Sequence, residues 1–225
     1  MDEALPDLSQ GLPVFPLPGT TLFPHTHLPL HIFEERYRNL MQDTLAQPIT
    51  QHCFAMGTLA DIPAEGTLGD PPVMPVAGVG RLIEYSRTPD GRFMLVLRGV
   101  GRVKLIGEQP LRNGYRVFGC EWLPDLRPPH GATMERTLGI ELRALALGLL
   151  RDQAERFRAI LDDSIELGAL TDMVSGYLPF DPEFKLQQMA EANVISRAAH
   201  AISELEKMLG LGGKPLHLDE PAPEN

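Results

Sequence analysis

The chain has 225 residues, enough for one large domain or two small ones with a sizeable core. Its 30 acidic and 20 basic side chains give a net charge of −10, and a surface of that sign repels phosphate backbones, which argues against nucleic acid as the main ligand. Hydrophobic residues make up 43% and charged residues 22%, as in an ordinary globular protein, while 21 prolines and 21 glycines exclude a purely helical fold. The N-terminus, Met1-Asp-Glu-Ala-Leu-Pro-Asp7, has neither the basic nor the apolar region of a signal peptide. No apolar run approaches the ~20 residues that span a membrane. Cys53 and Cys120 stand singly, as free thiols in a reducing compartment do. Together these features predict a cytoplasmic protein without membrane association.

In chain order, Leu28, Leu30 and Ile32 alternate with Pro29 and His31, a period of two that predicts a half-buried strand. Pro29 confines that strand to an edge or to its first residues. Tyr37, Leu40, Met41 and Leu45 predict a short amphipathic helix, with Glu34 and Glu35 in its first turn and Pro48 as its stop. His52 to Leu59 reads as the next strand, and Asp61–Pro75 as a long surface loop. Val76–Arg87 and Arg92–Ile106 form a hairpin around Thr88-Pro-Asp-Gly91, where proline presets the turn and glycine accepts positive φ. Phe93, Leu95 and Leu97 share a face, and Gly99 and Gly101 mark a bulge or a barrel corner. Tyr115–Leu123 completes a set of short, broken strands that suits a small barrel better than a flat sheet.

Pro124–Gly131 reads as a stiff polar connector, after which the pattern turns helical. Leu138, Leu142, Leu145 and Leu149 step by four, three and four, and Ile160, Leu161 and Ile165 to Leu170 predict further turns. Asp181-Pro-Glu183 supplies a capping Asp, a first-position proline and an acidic first turn. Behind it one stripe runs through Leu186, Met189, Val194, Ala198, Ala201, Leu205 and Met208 to the terminators Gly210, Gly212, Gly213 and Pro215. The expected class is α+β: a β-barrel subdomain over 1–123, a linker at 124–131, helices over 132–210 and a mobile tail at 211–225.

Catalytic and cofactor motifs are missing from this pattern. Gly210-Leu-Gly-Gly-Lys-Pro215 is no phosphate loop, because Pro215 stands where a hydroxyl would meet magnesium. His25 and His27, on an extended strand, would face one side and share a metal, but no acidic or thiol ligand accompanies them. His52 and Cys53 are strand neighbours pointing to opposite faces, and no serine sits in a Gly-x-Ser-x-Gly elbow. No catalytic residue, metal or cofactor is expected. What remains is an apolar surface: Phe15, Leu17, Leu22, Phe23, Leu30 and Phe33 crowd a proline-rich segment, with Tyr37 just beyond. As an exposed groove or edge it would take hydrophobic side chains or an added strand from a polypeptide. The competing reading makes the same residues barrel core.

The run Leu12-Pro-Val-Phe-Pro-Leu-Pro-Gly-Thr-Thr-Leu-Phe-Pro24, followed by Leu28-Pro-Leu-His-Ile-Phe-Glu-Glu-Arg-Tyr-Arg38, resembles the start of the substrate-binding domain found at the N-terminus of Lon-type ATP-dependent proteases. A second block joins Val79-Gly-Arg-Leu-Ile83, Asp90-Gly-Arg92 and Leu97-Arg-Gly-Val-Gly-Arg102, with Gly99 and Arg102 where that family carries Gly-x-x-Arg. The third is Leu178-Pro-Phe-Asp-Pro-Glu-Phe-Lys-Leu-Gln187. Glu35 stands where the family commonly has proline, and either residue suits a first helical turn. The resemblance spans Leu12 to Leu209. It implies a PUA-like pseudobarrel followed by a helical bundle, and a role in selecting or holding polypeptides.

On that basis Leu22, Phe23, Leu30, Phe33 and Tyr37 are the expected polypeptide-binding residues, and Pro24, Glu34, Arg36, Gly99 and Arg102 the structural ones. The family's Ser-Lys dyad belongs to a C-terminal domain, and this sequence ends at Asn225 without an ATP-binding motif. The expectation is therefore a non-enzymatic binder of unfolded or hydrophobic polypeptides, an adaptor or holdase, with a full-length Lon or other protease as partner. The alternative is an RNA- or nucleotide-binding module, because PUA-like barrels bind RNA elsewhere.

Overall fold

The computed structural model describes residues 5–60, 71–150, 162 and 164–211. Six strands are β1 (Leu12–Leu17), β2 (His27–Ile32), β3 (Cys53–Thr58), β4 (Val76–Arg87), β5 (Phe93–Arg112) and β6 (Tyr115–Trp122). A helix, α1 (Glu35–Leu45), and a 3-10 turn (Ile49–Gln51) lie between β2 and β3. Helices α2 (Ala132–Leu150), α3 (Leu167–Tyr177), α4 (Pro182–Ala190) and α5 (Val194–Met208) follow. The class is α+β, barrel first and helices second, as the sequence pattern predicts. The loop expected at Asp61–Pro75 falls largely, and Ile160, Leu161 and the tail from 212 fall wholly, outside the described residues. Among the described residues no helix is long and apolar enough to cross a membrane.

The sheet order is β2-β5-β4-β3-β1-β6, and β5 also pairs with β6, so five strands close on themselves while β2 remains at an edge. The 20-residue β5 makes this closure possible. Its first part pairs with β2 and β4 and its last part with β6. Register shifts opposite Gly99–Gly101 and near Gly107 bend it between the two. Strands β1 and β3 run parallel, and the other pairs are antiparallel. The predicted end of β5 at Ile106 is too early. The strand runs to a tight turn at Asn113-Gly114, both at positive φ (46° and 85°), the pattern that joins two twisted strands. The other turn is as predicted: Gly91 takes φ 83°, and Asp90 accepts from the Thr88 hydroxyl and the Arg92 amide.

Because β1 and β3 are covered on both sides, they are apolar at successive positions rather than alternately. Phe15, Phe54 and Met56 pack toward Tyr37, Leu40 and Met41 of α1. Val14, Cys53 and Ala55 pack with Val79, Val103 and Phe118. A separate cluster joins α2, α3 and α5 through Leu142, Leu170, Val174, Ala198 and Ile202.

The long stripe expected behind Asp181 belongs to two helices, not one. Asp181 does cap α4, accepting from the Glu183 amide at 2.8 Å. The chain then breaks at Glu191–Asn193, and Asn193 caps α5 through the Ile195 and Ser196 amides. The connector demands this break. Leu126 donates to the Ala192 carbonyl and accepts from the Val194 amide, a two-residue parallel bridge that a continuous helix would forbid. The Gly210 terminator is as expected: it takes φ 70°, and its own and the Leu211 amides turn back to the Lys207 and Glu206 carbonyls.

Candidate functional site

The segment 22–24 lies across β4 and β5. A Cβ at Gly78 would stand 1.8 Å from the Leu22 carbonyl oxygen, and one at Gly99 2.0 Å from that of Phe23. So close a crossing drives Leu22 (1% exposed) and Phe23 (0%) into the core, and the expectation that they face a partner is corrected. Tyr37 (4%) is also inside, its ring 4.2 Å from that of Phe15 with the Arg36 guanidinium above it. Pro24 and His25 form the corner that returns the chain to β2. Thr26 closes it by donating its amide and hydroxyl to the Phe23 carbonyl, and His25 takes φ 64°. His25 is thus in a turn rather than on a strand, and the shared face expected for His25 and His27 is not formed. Burial pulls the pKa of His25 down.

Of the two remaining expected residues, Phe33 is exposed and Leu30 packs partly buried against the barrel core. Leu30 is half-buried on β2, and Phe33 is 57% exposed with its ring 5.9 Å from that of His31. His31 is registered against Met94, itself 47% exposed, so Phe33, His31 and Met94 form a small contact surface at the sheet edge. The edge itself is a poor template for another strand. The His27 amide points away from β5 to the Tyr177 hydroxyl at 3.3 Å. Alternation of an antiparallel pair puts the nitrogens of Pro29 and His31 on that same side. Proline has no N–H, so His31 offers the one amide of this strand left for a partner. Glu34 caps α1 with an extended backbone and accepts from Arg36 Nε at 3.0 Å.

Arg102 forms a buried junction between barrel and helices. Its Nη1 donates to the carbonyls of Met189 and Glu191, and its Nη2 to Asp125 Oδ1 at 2.6 Å. Arg197 on α5 reaches the same Glu191 carbonyl and the same Asp125 oxygen, at 3.0 and 2.8 Å. Asp172 on α3 completes the cluster, with Oδ1 3.2 Å from Arg197 Nε but too poorly aligned for a hydrogen bond. Burial pushes the Asp172 carboxyl up to about 7, against the pull of both arginines. Burial and the neighbouring Arg197 draw the pKa of Arg102 down. Gly99 and Arg102 of the sequence motif therefore do separate work, one admitting the 22–24 crossing and the other bolting two layers together. Nothing in the sequence marked Asp125, Asp172 and Arg197 as partners, because they come from three distant elements.

Two concavities flank these features. One, of about 220 Å³, opens over the junction between His25, Trp122, Asp125 and Asp172. The other, of about 550 Å³, lies between the N-terminal segment, the C-terminal end of α1 with the 3-10 turn, and the β5–β6 hairpin. Gln10, Gln47, Gln51, Asp43, Arg112 and Tyr115 line it. Asp43 Oδ2 accepts from the Asn113 side-chain Nδ2 at 2.7 Å and the Tyr115 hydroxyl at 2.8 Å, and burial together with the latter bond raises the tyrosine pKa. Cys53 lies at its base, its thiol pushed up to about 11 by burial, which leaves it a poor nucleophile. Lys185 donates to the Gly176 carbonyl beside Ser175, but Ser175 is wholly buried, out of reach of a substrate.

Two solved structures share this architecture. The Lon N-terminal domain protein from Xanthomonas campestris matches with a TM-score of 0.56 and 23% identity, covering 90% of this chain and 99% of that one. The N-terminal domain of Mycobacterium avium complex Lon protease matches with a TM-score of 0.66 and 15% identity, covering 87% and 98%. Among curated proteins none matches. The family model of the ATP-dependent protease La (LON) substrate-binding domain matches residues 11–207, nearly the whole described barrel and helical region, and the chain belongs to that family.

Proposed function

We propose that the chain is a non-catalytic recognition module that holds exposed hydrophobic or unfolded polypeptide segments, as an adaptor or holdase in the cytoplasm, with a Lon-type or other protease as its partner. Membership of a substrate-binding family over residues 11–207 carries this reading. The exposed Phe33 and Met94, with the His31 ring between strand and loop, supply an accessible contact surface on the barrel. The acidic balance opposes the RNA-binding alternative, since non-specific affinity for nucleic acid requires a basic surface.

The test compares one client protein in folded and in chemically unfolded form, titrated against the chain and followed by fluorescence anisotropy. Selective binding of the unfolded form, weakened several-fold by Phe33→Ser, is the expected outcome. Equal affinity for both forms, or none for either, overturns the reading. Retention of RNA on filters at low salt without client binding would select the alternative.

A further inference from the structure

We propose that the cleft at the end of α1 holds the main chain of an extended polypeptide through the side-chain amides of Gln10 and Gln47, making this the sequence-tolerant part of the recognition surface. The proposal rests on the polypeptide reading above. At about 550 Å³ the cleft is as large as ordinary ligand sites. Its chemistry is that of an amide. A glutamine side chain offers one carbonyl and one NH₂, so it pairs with a peptide unit through both of that unit's polar groups. Among the described residues the Gln10 and Gln47 carboxamides have no hydrogen-bond partner. Gln51 differs in that its oxygen already holds the Asp7 amide at 3.1 Å.

The alternatives fit less well. A nucleotide or other phosphate needs several cations, and the cleft has Arg112 against Asp7 and Asp43. Strand addition at β2 is limited by Pro29 and by the His27–Tyr177 bond, so a polypeptide seated on Phe33 must satisfy its main chain elsewhere. Pro6, Pro13 and Pro48 restrict the backbone that walls the cleft. The acidic residues, together with a helix C-terminus that has no basic residue in its last turn, favour basic over acidic segments.

The test uses a short fluorescein-labelled peptide of alternating leucine and lysine, the same peptide N-methylated along its backbone, and a leucine–glutamate counterpart. Each is titrated against the wild type, the Gln10→Ala/Gln47→Ala variant and Phe33→Ser. Both glutamines are exposed, so the double variant keeps its fold, as an unchanged melting curve will verify. The double variant should bind the leucine–lysine peptide about tenfold more weakly. N-methylation should cost the wild type a similar factor and the double variant little, and the leucine–glutamate peptide should bind most weakly. If the double variant and the N-methylated peptide bind as tightly as their parents while Phe33→Ser weakens binding, the cleft proposal fails and the polypeptide reading stands. If no peptide binds the wild type, both fail.

Discussion

Gly78 and Gly99 determine whether residues 22–24 can occupy their place in the core. With Cβ positions 1.8 and 2.0 Å from carbonyl oxygens of the crossing segment, an alanine at either site forces backbone apart rather than a flexible side-chain tip. Gly99→Ala should therefore cost about 3 kcal/mol of unfolding free energy, at the upper end for overpacking. Urea denaturation measures it, and a loss below about 0.5 kcal/mol would mean that the crossing is not tight. The pattern around Gly99 was legible as a bend, and the register shift opposite Gly99–Gly101 is there. Its partner was not legible, because nothing local says which distant segment passes over a glycine. The same limit explains Phe23 and Phe33. Both are phenylalanines in a proline-rich run, yet one is wholly buried and the other 57% exposed. Residue type reports affinity for an apolar environment, and the path of the chain decides who supplies it.

The helices divide along the same line. The start of α4 could be read from Asp181-Pro182-Glu183 because a cap is a local device. The separation of α4 from α5 could not, since the apolar stripe from Leu186 onward keeps a helical period across it. What breaks the helix is a tertiary demand: the Ala192 carbonyl and the Val194 amide are bonded to Leu126 of the connector. Asn193 is the residue that makes the restart cheap, with its side-chain oxygen 3.0 and 3.2 Å from two otherwise unbonded amides. Asn193→Ala should lower stability by about 1 kcal/mol, whereas Asn193→Asp should cost far less, since Asp keeps the accepting oxygen. Equal losses for the two variants would show that the amide nitrogen, and not the cap, is what matters. The extension of β5 to Arg112 was within reach of sequence reading, because Asn113-Gly114 is a strong two-residue hairpin signal, although Gly107 to Arg112 carries no apolar alternation.

At the scale of the molecule, the arginine–aspartate junction makes barrel and helices one unit. Arg102 and Arg197 are buried to 2% and 0% exposure on opposite sides of the seam and share both Asp125 and the Glu191 carbonyl. Removing one member leaves its partners' charges buried, which costs about 3–5 kcal/mol. In the wild type, unfolding followed at Trp122 on β6 and by helical circular dichroism should coincide. Arg102→Ala should lower the midpoint and separate the two curves, and coincident curves in the variant would show that apolar packing alone couples the layers. Asp172 adds a pH dependence of definite sign. Burial lifts its carboxyl from 3.8 to about 7, because desolvation outweighs the pull of Arg197 and Arg102, and Asp125 adds to the rise. The folded chain thus keeps a proton that the unfolded chain has already released. The stabilisation this gives is full below about pH 3.8 and lost as pH rises through about 7. Asp7, Asp90 and Asp162, whose pKa values are lowered, act in the opposite direction, so the wild type alone does not isolate the effect of Asp172. Against Asp172→Asn those contributions cancel. The stability of the wild type relative to that variant should fall between about pH 4 and pH 7 and level off above. A flat difference over that interval would mean that Asp172 stays ionised beside Arg197, and that the seam is held by four full charges rather than three and a neutral acid.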